Sequence, residues 1–316
     1  MIKKPAEMIN TENKFRVLIA GYPGIGKTTL GLSAPKPLLI DVDFGINRTM
    51  ASVRKDYIQP ESYDELLNDL RGDLSDYETI VIDTGGKLLD LMKVYVIKND
   101  IKNAKKDGTL SLQGYGAVGR EFSRFMNYIY FDLRKHCVII FHAVEEKQDE
   151  DTKLRILVEG STKNTVWQNV ELGGFIEMRG DKKVIGFNNC ERYFAKSSFG
   201  IKGNYTIPEL DGTQPNDFLM KLFEQANKNI QEESKVFEKE RKQYQEVINK
   251  YIPIVESMTV ENVNEVMDLI KNIDDHILTS EKEIKDHFAK KIKELNLLWN
   301  KDKQQYETKQ EVQNNE

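Results

Sequence analysis

Residues 21–28 read Gly-Tyr-Pro-Gly-Ile-Gly-Lys-Thr and satisfy the pattern G-x-x-x-x-G-K-[ST] at every fixed position. No other segment constrains the fold as strongly. Glycines let consecutive backbone N–H groups turn inward onto a phosphate, and that cradle works only between a strand and a helix. The flanks meet this requirement. Residues 15–20, Phe-Arg-Val-Leu-Ile-Ala, are a short β-prone apolar run, and residues 28–32, Thr-Thr-Leu-Gly-Leu, open a helix whose N-terminus favours an anion. The candidate nucleotide contacts are therefore Gly21, Tyr22, Pro23, Gly24, Ile25, Gly26, Lys27, Thr28 and Thr29. Lys27 would reach the β- and γ-phosphates, and the Thr28 hydroxyl would ligate Mg²⁺, so ATP and Mg²⁺ are the expected ligands.

A chain of 316 residues allows one large or two ordinary domains. With 39% hydrophobic and 31% charged residues it reads as a globular protein with a charge-rich portion. No apolar stretch approaches the roughly 20 residues that span a bilayer, so no membrane role is expected. Residues 1–13 are polar, without the apolar core of a signal peptide. Cys137 and Cys190 have no metal-type spacing and suit a reducing cytoplasm as free thiols. A net charge of −5 argues against coating nucleic acid by bulk charge, though not against a local basic channel.

Short apolar runs alternate with helical patterns over the first 210 or so residues. Expected strands are 15–20, 37–42, 79–82, 137–142, 155–158, 175–179, 183–188 and 192–195, with amphipathic stretches such as 62–70 and 118–133 between them. This alternation predicts an α/β fold with a mostly parallel sheet, and the closely spaced later strands predict an antiparallel extension on one edge. After Pro215 glycine disappears and Lys, Glu, Gln and Asn dominate. Apolar residues from Phe218 to Tyr251 recur at helical spacing, Pro253 is expected to break that helix, and residues 260–273 form a second. Ser280 and Glu283 suggest a capping box opening a third helix, with Ile284, Phe288, Ile292, Leu295 and Trp299 on one stripe. An α-helical hairpin or short coiled coil is expected, with residues 304–316 fraying. The division expected is a flexible segment 1–13, a core 14–212 and a helical region 213–316.

Three apolar strands end in polar groups. Residues 79–84, Thr-Ile-Val-Ile-Asp-Thr, place Asp83 where it would hold Mg²⁺ through water beside Thr28. Residues 38–43 end in Asp41 and Asp43, which period-two alternation puts on one side of a strand. Such an acid orients and deprotonates an attacking water, or else caps the turn that Gly45 follows; Asp43 is favoured as the base. His142 ends the run 138–142 at the carboxyl edge of the sheet, either sensing a γ-phosphate or serving as an ordinary strand-end histidine. Together these groups point to ATP hydrolysis coupled to a conformational change.

At these residues the chain resembles the RecA-like P-loop ATPases, in particular the phage AAA-type nucleotide-binding proteins that include the Sak-type single-strand annealing recombinases. The resemblance covers roughly residues 14–200. It rests on the phosphate loop, the Asp83 strand, the run Leu39-Ile40-Asp41-Val42-Asp43, the segments Leu112–Gly116 and Phe141–Ala143, and a box at residues 195–200, Ala-Lys-Ser-Ser-Phe-Gly. Asp43 stands where RecA-like proteins carry a longer catalytic glutamate, and His142 where they carry a polar γ-phosphate sensor. In the related box a lysine and an arginine reach the neighbouring subunit's nucleotide. Lys196 is retained and Ser198 replaces the arginine, so a trans-acting Lys196 is implied as readily as a solvated one. Arg192 or Arg179 could substitute for the arginine.

The resemblance further implies single-stranded DNA as partner, contacted by segments 98–116 and 147–169, with Lys105, Lys106, Tyr115, Lys163 and Trp167 as candidate contacts. Glu145, Glu146, Asp149, Glu150 and Asp151 make the start of the second segment acidic. It also implies a homo-oligomer in the cytoplasm of a phage-infected bacterium, with a single-strand-binding or other replication protein as a further partner. The function expected is DNA-stimulated ATP hydrolysis in recombination or annealing. The alternatives are a motor or loader ATPase of replication or packaging, or a nucleotide-gated interaction protein.

Overall fold

Leu18 and Ala20 face one core and Val17 and Ile19 the other, so the strand before the phosphate loop is buried on both faces. The neighbouring strands repeat the pattern: Ile80 and Ile82 oppose Val81, and Ile139 and Phe141 oppose Val138 and Ile140. Strands that read as unbroken apolar runs belong inside a parallel sheet covered by helices on both sides. The computed structural model describes residues 12–148, 151–160, 162–210 and 214–308. It places these runs at β1 (Arg16–Gly21), β2 (Pro37–Asp41), β4 (Thr79–Asp83) and β5 (His136–Gln148), with a short β3 (Tyr57–Ile58) at the edge.

The sheet continues through β7 (Leu172–Arg179), β8 (Lys182–Gly186) and β9 (Asn204–Thr206), in the order β3-β2-β4-β5-β1-β7-β8-β9. Pairing is parallel from β3 to β7 and antiparallel from β7 to β9. This is the RecA-like arrangement, with β5 inserted between the phosphate-loop strand β1 and the acid-bearing strand β4, and with the expected antiparallel edge. Helices α2 (Tyr63–Asp69), α3 (Gly85–Asn99) and α4 (Leu112–Asn127) lie on the face that carries Leu18, Ile82 and Phe141. The other face is covered by α1 (Lys27–Gly31) and the start of α6 (Phe218–Glu256), with Leu30, Leu219, Leu222 and Phe223 in its core.

Several expectations are corrected. β5 runs past His142 to Gln148 because β6 (Asp151–Ile156) folds back on it as an antiparallel hairpin partner, so the loop expected from residue 147 is mostly β6 and α5 (Thr162–Gln168). Asp149 and Glu150 lie outside the described residues. Residues 192–195 form no strand; Tyr193 and Lys196 make single bridges to Leu154 and Gly173.

The chain divides into two units, 12–230 and 231–308 among the described residues. The boundary lies beyond residue 212 because the first turns of α6 belong to the core of the first unit: Leu219, Leu222, Phe223 and Ala226 are buried there. Residues 1–11 of the expected N-terminal segment lie outside the described residues.

The second unit is not a coiled coil. The later part of α6, α7 (Val263–Lys271), α8 (Ser280–Glu294) and a hairpin of β10 (Leu297–Asn300) with β11 (Gln305–Thr308) share a small core of Val247, Tyr251, Val263, Ile284 and Leu297, among others. Pro253 does not break α6. It falls in the last turn, where its missing N–H costs one bond, and its carbonyl still accepts from Ser257 N at 3.0 Å. The capping box does not form either. Thr279 is the N-cap, Ser280 Oγ accepts from Ile277 N at 3.0 Å, and the Glu283 carboxylate accepts the Tyr244 hydroxyl. Asn296, at φ 54°, ends α8 in the left-handed region, which puts Trp299 on a strand instead of the helical stripe. Residues 305–308 are paired in β11; residues 309–316 lie outside the described residues.

Candidate nucleotide site

The phosphate loop follows β1 directly. Gly24 and Gly26 adopt φ values of 78° and 100°, a region that only glycine enters at no steric cost, and this coils residues 22–26 into the turn before α1. Lys27 is buried, and its Nζ donates to the Tyr22 carbonyl at 2.8 Å across the loop. Burial pulls the Lys27 ammonium below its usual range, opposed by the negative charges of Asp83 and Asp43. Thr28 Oγ1 donates to Asp83 Oδ2 at 2.5 Å, so the hydroxyl of α1 and the carboxylate ending β4 meet as expected. Burial raises the Asp83 carboxyl; the Thr28 hydrogen bond and Lys27 oppose that rise.

The two acids after β2 take different roles. Asp41 is buried and accepts from Gly45 N at 2.8 Å, Ile46 N at 3.0 Å and Gln59 Nε2 at 2.8 Å, which fixes the turn after the strand. The chain leaves the strand at Asp41, so period-two alternation does not carry to Asp43. Asp43 sits in the turn, ion-paired to Arg48 Nη1 at 3.0 Å, and lines a cavity of about 350 Å³ together with His142, Thr84 and Lys87. His142 pairs in register with Gly21, and its Nδ1 is buried with no hydrogen-bond partner. Burial, then the charge of Lys27, lowers the His142 pKa, while Asp43 opposes. The imidazole beside the loop is thereby biased to its neutral form, able to donate or accept one hydrogen bond.

Tyr22 donates its hydroxyl to Glu145 Oε1 at 2.6 Å. Arg192 lies 3.9 Å from that carboxylate and 3.3 Å from Glu177, so it sits beside the loop of its own chain, whereas Arg179 is exposed at the end of β7. Lys196 is not brought to the phosphate loop. Its backbone pairs with Gly173, and its Nζ approaches the Trp167 carbonyl at 3.3 Å, in a separate cavity lined by Trp167, Phe194 and Asn189.

The candidate DNA contacts are scattered. Lys105 and Lys106 are exposed on a tight turn closed by the Ala104–Leu110 bridge. Tyr115 is half-buried on α4, and Lys163 lies 3.5 Å from Glu146. Trp167 stacks on Phe175 and meets Phe194 edge-on with centroids 4.9 Å apart, so its ring is occupied in packing. Sequence reasoning missed Arg48, Thr84 and Lys183. Thr84 N-caps α3 and lines the His142 cavity. The Lys183 Nζ comes 3.7 Å from the position a Cβ on Gly26 would occupy. Only Thr84, next to Asp83 at a strand-to-helix junction, left a local signal.

The donor set fits a nucleotide with Mg²⁺. Among the described residues no group of three or more His, Cys, Asp or Glu side chains could hold a metal alone. Mg²⁺ needs no such cage, since it keeps waters and binds through one or two protein oxygens plus substrate phosphates. Thr28 and Asp83, hydrogen-bonded at 2.5 Å, would supply that pair. A glycine-coiled loop between β1 and α1, a Thr–Asp pair and the intervening β5 define a P-loop ATPase core of RecA-like topology. The chain belongs to the AAA_24 family, described as an AAA domain, whose profile matches residues 13–199. Solved structures similar to it include one described as an ATPase domain (13% identity, TM-score 0.40, over 62% of this chain and 81% of that one). Another is the flagellar accessory protein FlaH from Methanocaldococcus jannaschii (11% identity, TM-score 0.30, over 64% of this chain and 94% of that one). No curated protein matches the sequence. No helix among the described residues is long and apolar enough to cross a membrane.

Proposed function

We propose that the chain is an oligomeric ATPase of the phage Sak-type recombinase group, which hydrolyses ATP while acting on single-stranded DNA during annealing or strand exchange. The observation that carries the ATPase reading is the grouping of Lys27 with the hydrogen-bonded Thr28–Asp83 pair, with Asp43 and His142 both coupled electrostatically to the same lysine and those two side chains lining one cavity. Lys27 would leave the Tyr22 carbonyl for the phosphates. Thr28 directly, and Asp83 through water, would hold Mg²⁺, which when bound neutralises charge on the phosphates. Asp43, released from Arg48, would orient the attacking water and accept its proton, and neutral His142 would hydrogen-bond the terminal phosphate. Lys196, away from its own phosphate loop, supports a contact with a neighbour's nucleotide. The exposed pair Lys105–Lys106 and the resemblance to the annealing recombinases support the DNA step.

ATP hydrolysis measured with and without single-stranded DNA tests this. Lys27→Ala and Asp43→Asn should each lower the rate at least about 100-fold. A mixture of Lys27→Ala and Lys196→Ala should recover activity if sites are shared between subunits. Unchanged hydrolysis in Asp43→Asn sinks the assigned base, and absence of both DNA stimulation and DNA retention at low salt sinks the DNA reading.

A further inference from the structure

Helix α4 turns Val118, Phe122, Phe125 and Met126 into the core and leaves Gln113, Gly116, Arg120, Arg124 and Asn127 exposed. Its sole acid, Glu121, is buried, accepting the Tyr63 hydroxyl at 3.0 Å and Arg124 Nη1 at 2.7 Å. The exposed face of this 16-residue helix therefore carries two arginines and no carboxylate, in a chain of 51 acids against 46 bases. It forms the floor of a groove of about 840 Å³ between α2 and α5, within the usual size of ligand sites.

Gly116 and Gly119 keep that floor low. A Cβ on Gly116 would lie 3.4 Å from Arg120 Nη1, and one on Gly119 would lie 3.3 Å from Thr165 Oγ1. Arg71 joins the groove from the end of α2, and Tyr95, Tyr115 and Tyr128 wall it. Against three arginines stand Asp132 and the buried, already paired Glu121. Arg124 is pre-positioned by that buried carboxylate, which uses one of the five guanidinium donors.

We propose that this groove is a binding site for a single-stranded nucleic acid, with Arg71, Arg120 and Arg124 on phosphates and Tyr115 and Tyr128 against bases. Guanidinium forks match phosphate oxygens, and flat phenol rings stack on any base without sequence preference. Among the described residues the aliphatic lining is half-buried Leu67 alone, so the groove's apolar surface is mostly aromatic and suits flat bases better than the aliphatic face of a protein helix. The proposal rests on the single-strand reading above and places the strand on α4 instead of at Lys163 and Trp167.

The test is fluorescence anisotropy of a labelled oligothymidylate against salt, for the full chain and for Arg71→Gln combined with Arg120→Gln. Glu121 is hydrogen-bonded to Tyr63 and Arg124, and neither Arg71 nor Arg120 lines the cavity of Asp43 and His142, so unchanged ATP hydrolysis reports an intact fold. The double variant should bind about tenfold more weakly, with a log–log salt slope shallower by about 1.4, from roughly 0.7 per lost phosphate contact on single strands. Asn127→Glu, which puts a carboxylate in the groove, should weaken binding as well. If the full chain binds and these variants match it in affinity and slope while Lys105→Ala with Lys106→Ala loses binding, the groove is not the site and the single-strand reading stands. If the full chain does not bind, both fall and the ATPase reading remains.

Discussion

His136 ties stability to pH. It is 2% exposed, its Nδ1 accepts from Phe15 N at 3.0 Å, and its ring stacks on Phe223 with centroids 4.6 Å apart. Burial, and then the nearby charge of Lys14, pushes its pKa from 6.5 to about 3. The unfolded chain therefore takes up a proton below pH 6.5 that the folded chain refuses, and stability falls as pH drops through that window. The slope expected from this residue is about 1.4 kcal/mol per pH unit. His136→Asn keeps an acceptor for Phe15 N and removes the titration. Urea unfolding at several pH values between about 7 and the acid transition should show the wild type losing stability more steeply than the variant; equal slopes refute the assignment. The same scale governs the nucleotide site, where burial pushes both Lys27 and Asp83 toward neutrality while each favours the other's charge.

Helix α4 shows what an element demands of a single position. Ser111 caps it, accepting from Gly114 N at 3.1 Å, and Gly114 presses against the preceding turn. A Cβ on Gly114 would meet the Asn103 carbonyl oxygen at 2.3 Å, backbone that cannot swing away. Asn103 is itself buried, donating to the Val96 carbonyl at 2.8 Å, so the collision reaches α3. Gly114→Ala should cost roughly 1–3 kcal/mol by overpacking, read as a lower urea midpoint, and should loosen the wall of the arginine-lined groove. Gly116→Ala, with 3.4 Å to a flexible arginine, should cost far less. A similar midpoint for both would show that α4 can slide. Elements of this kind were legible in outline: β1, β2, β4, the start of β5 and α2 lie close to where periodicity puts them. The strands missed altogether share one cause, since β3, β9 and the β10–β11 hairpin are built from strands of two to four residues. Segments that short are held by a neighbouring strand, and no local pattern records the neighbour.

For the whole molecule, the buried clusters of the first unit end at Ala226 and that of the second begins at Val247, with no shared residue. A chain cut after residue 230 should keep ATP binding and a single cooperative unfolding transition. A cut after residue 216 removes Leu219, Leu222, Phe223 and Ala226 from the core, and its melting temperature should drop sharply or its fold should be lost. Calorimetry of the two truncations decides, and equal stability would place the start of α6 outside the core. The sequence by itself determined the phosphate loop, the acid ending β4 and the parallel α/β class, because these depend on local geometry: glycine conformations, strand periodicity and one strand-to-helix junction. Tertiary structure decided what depends on chain segments far apart in sequence. It committed Asp41 to a turn and left Asp43 beside His142, paired Asp43 with Arg48, turned Trp167 into packing, and gathered Arg71 with Arg120 and Arg124 on one groove. Those outcomes depend on which strands pair and which helices cross, and no residue carries that in its immediate neighbours.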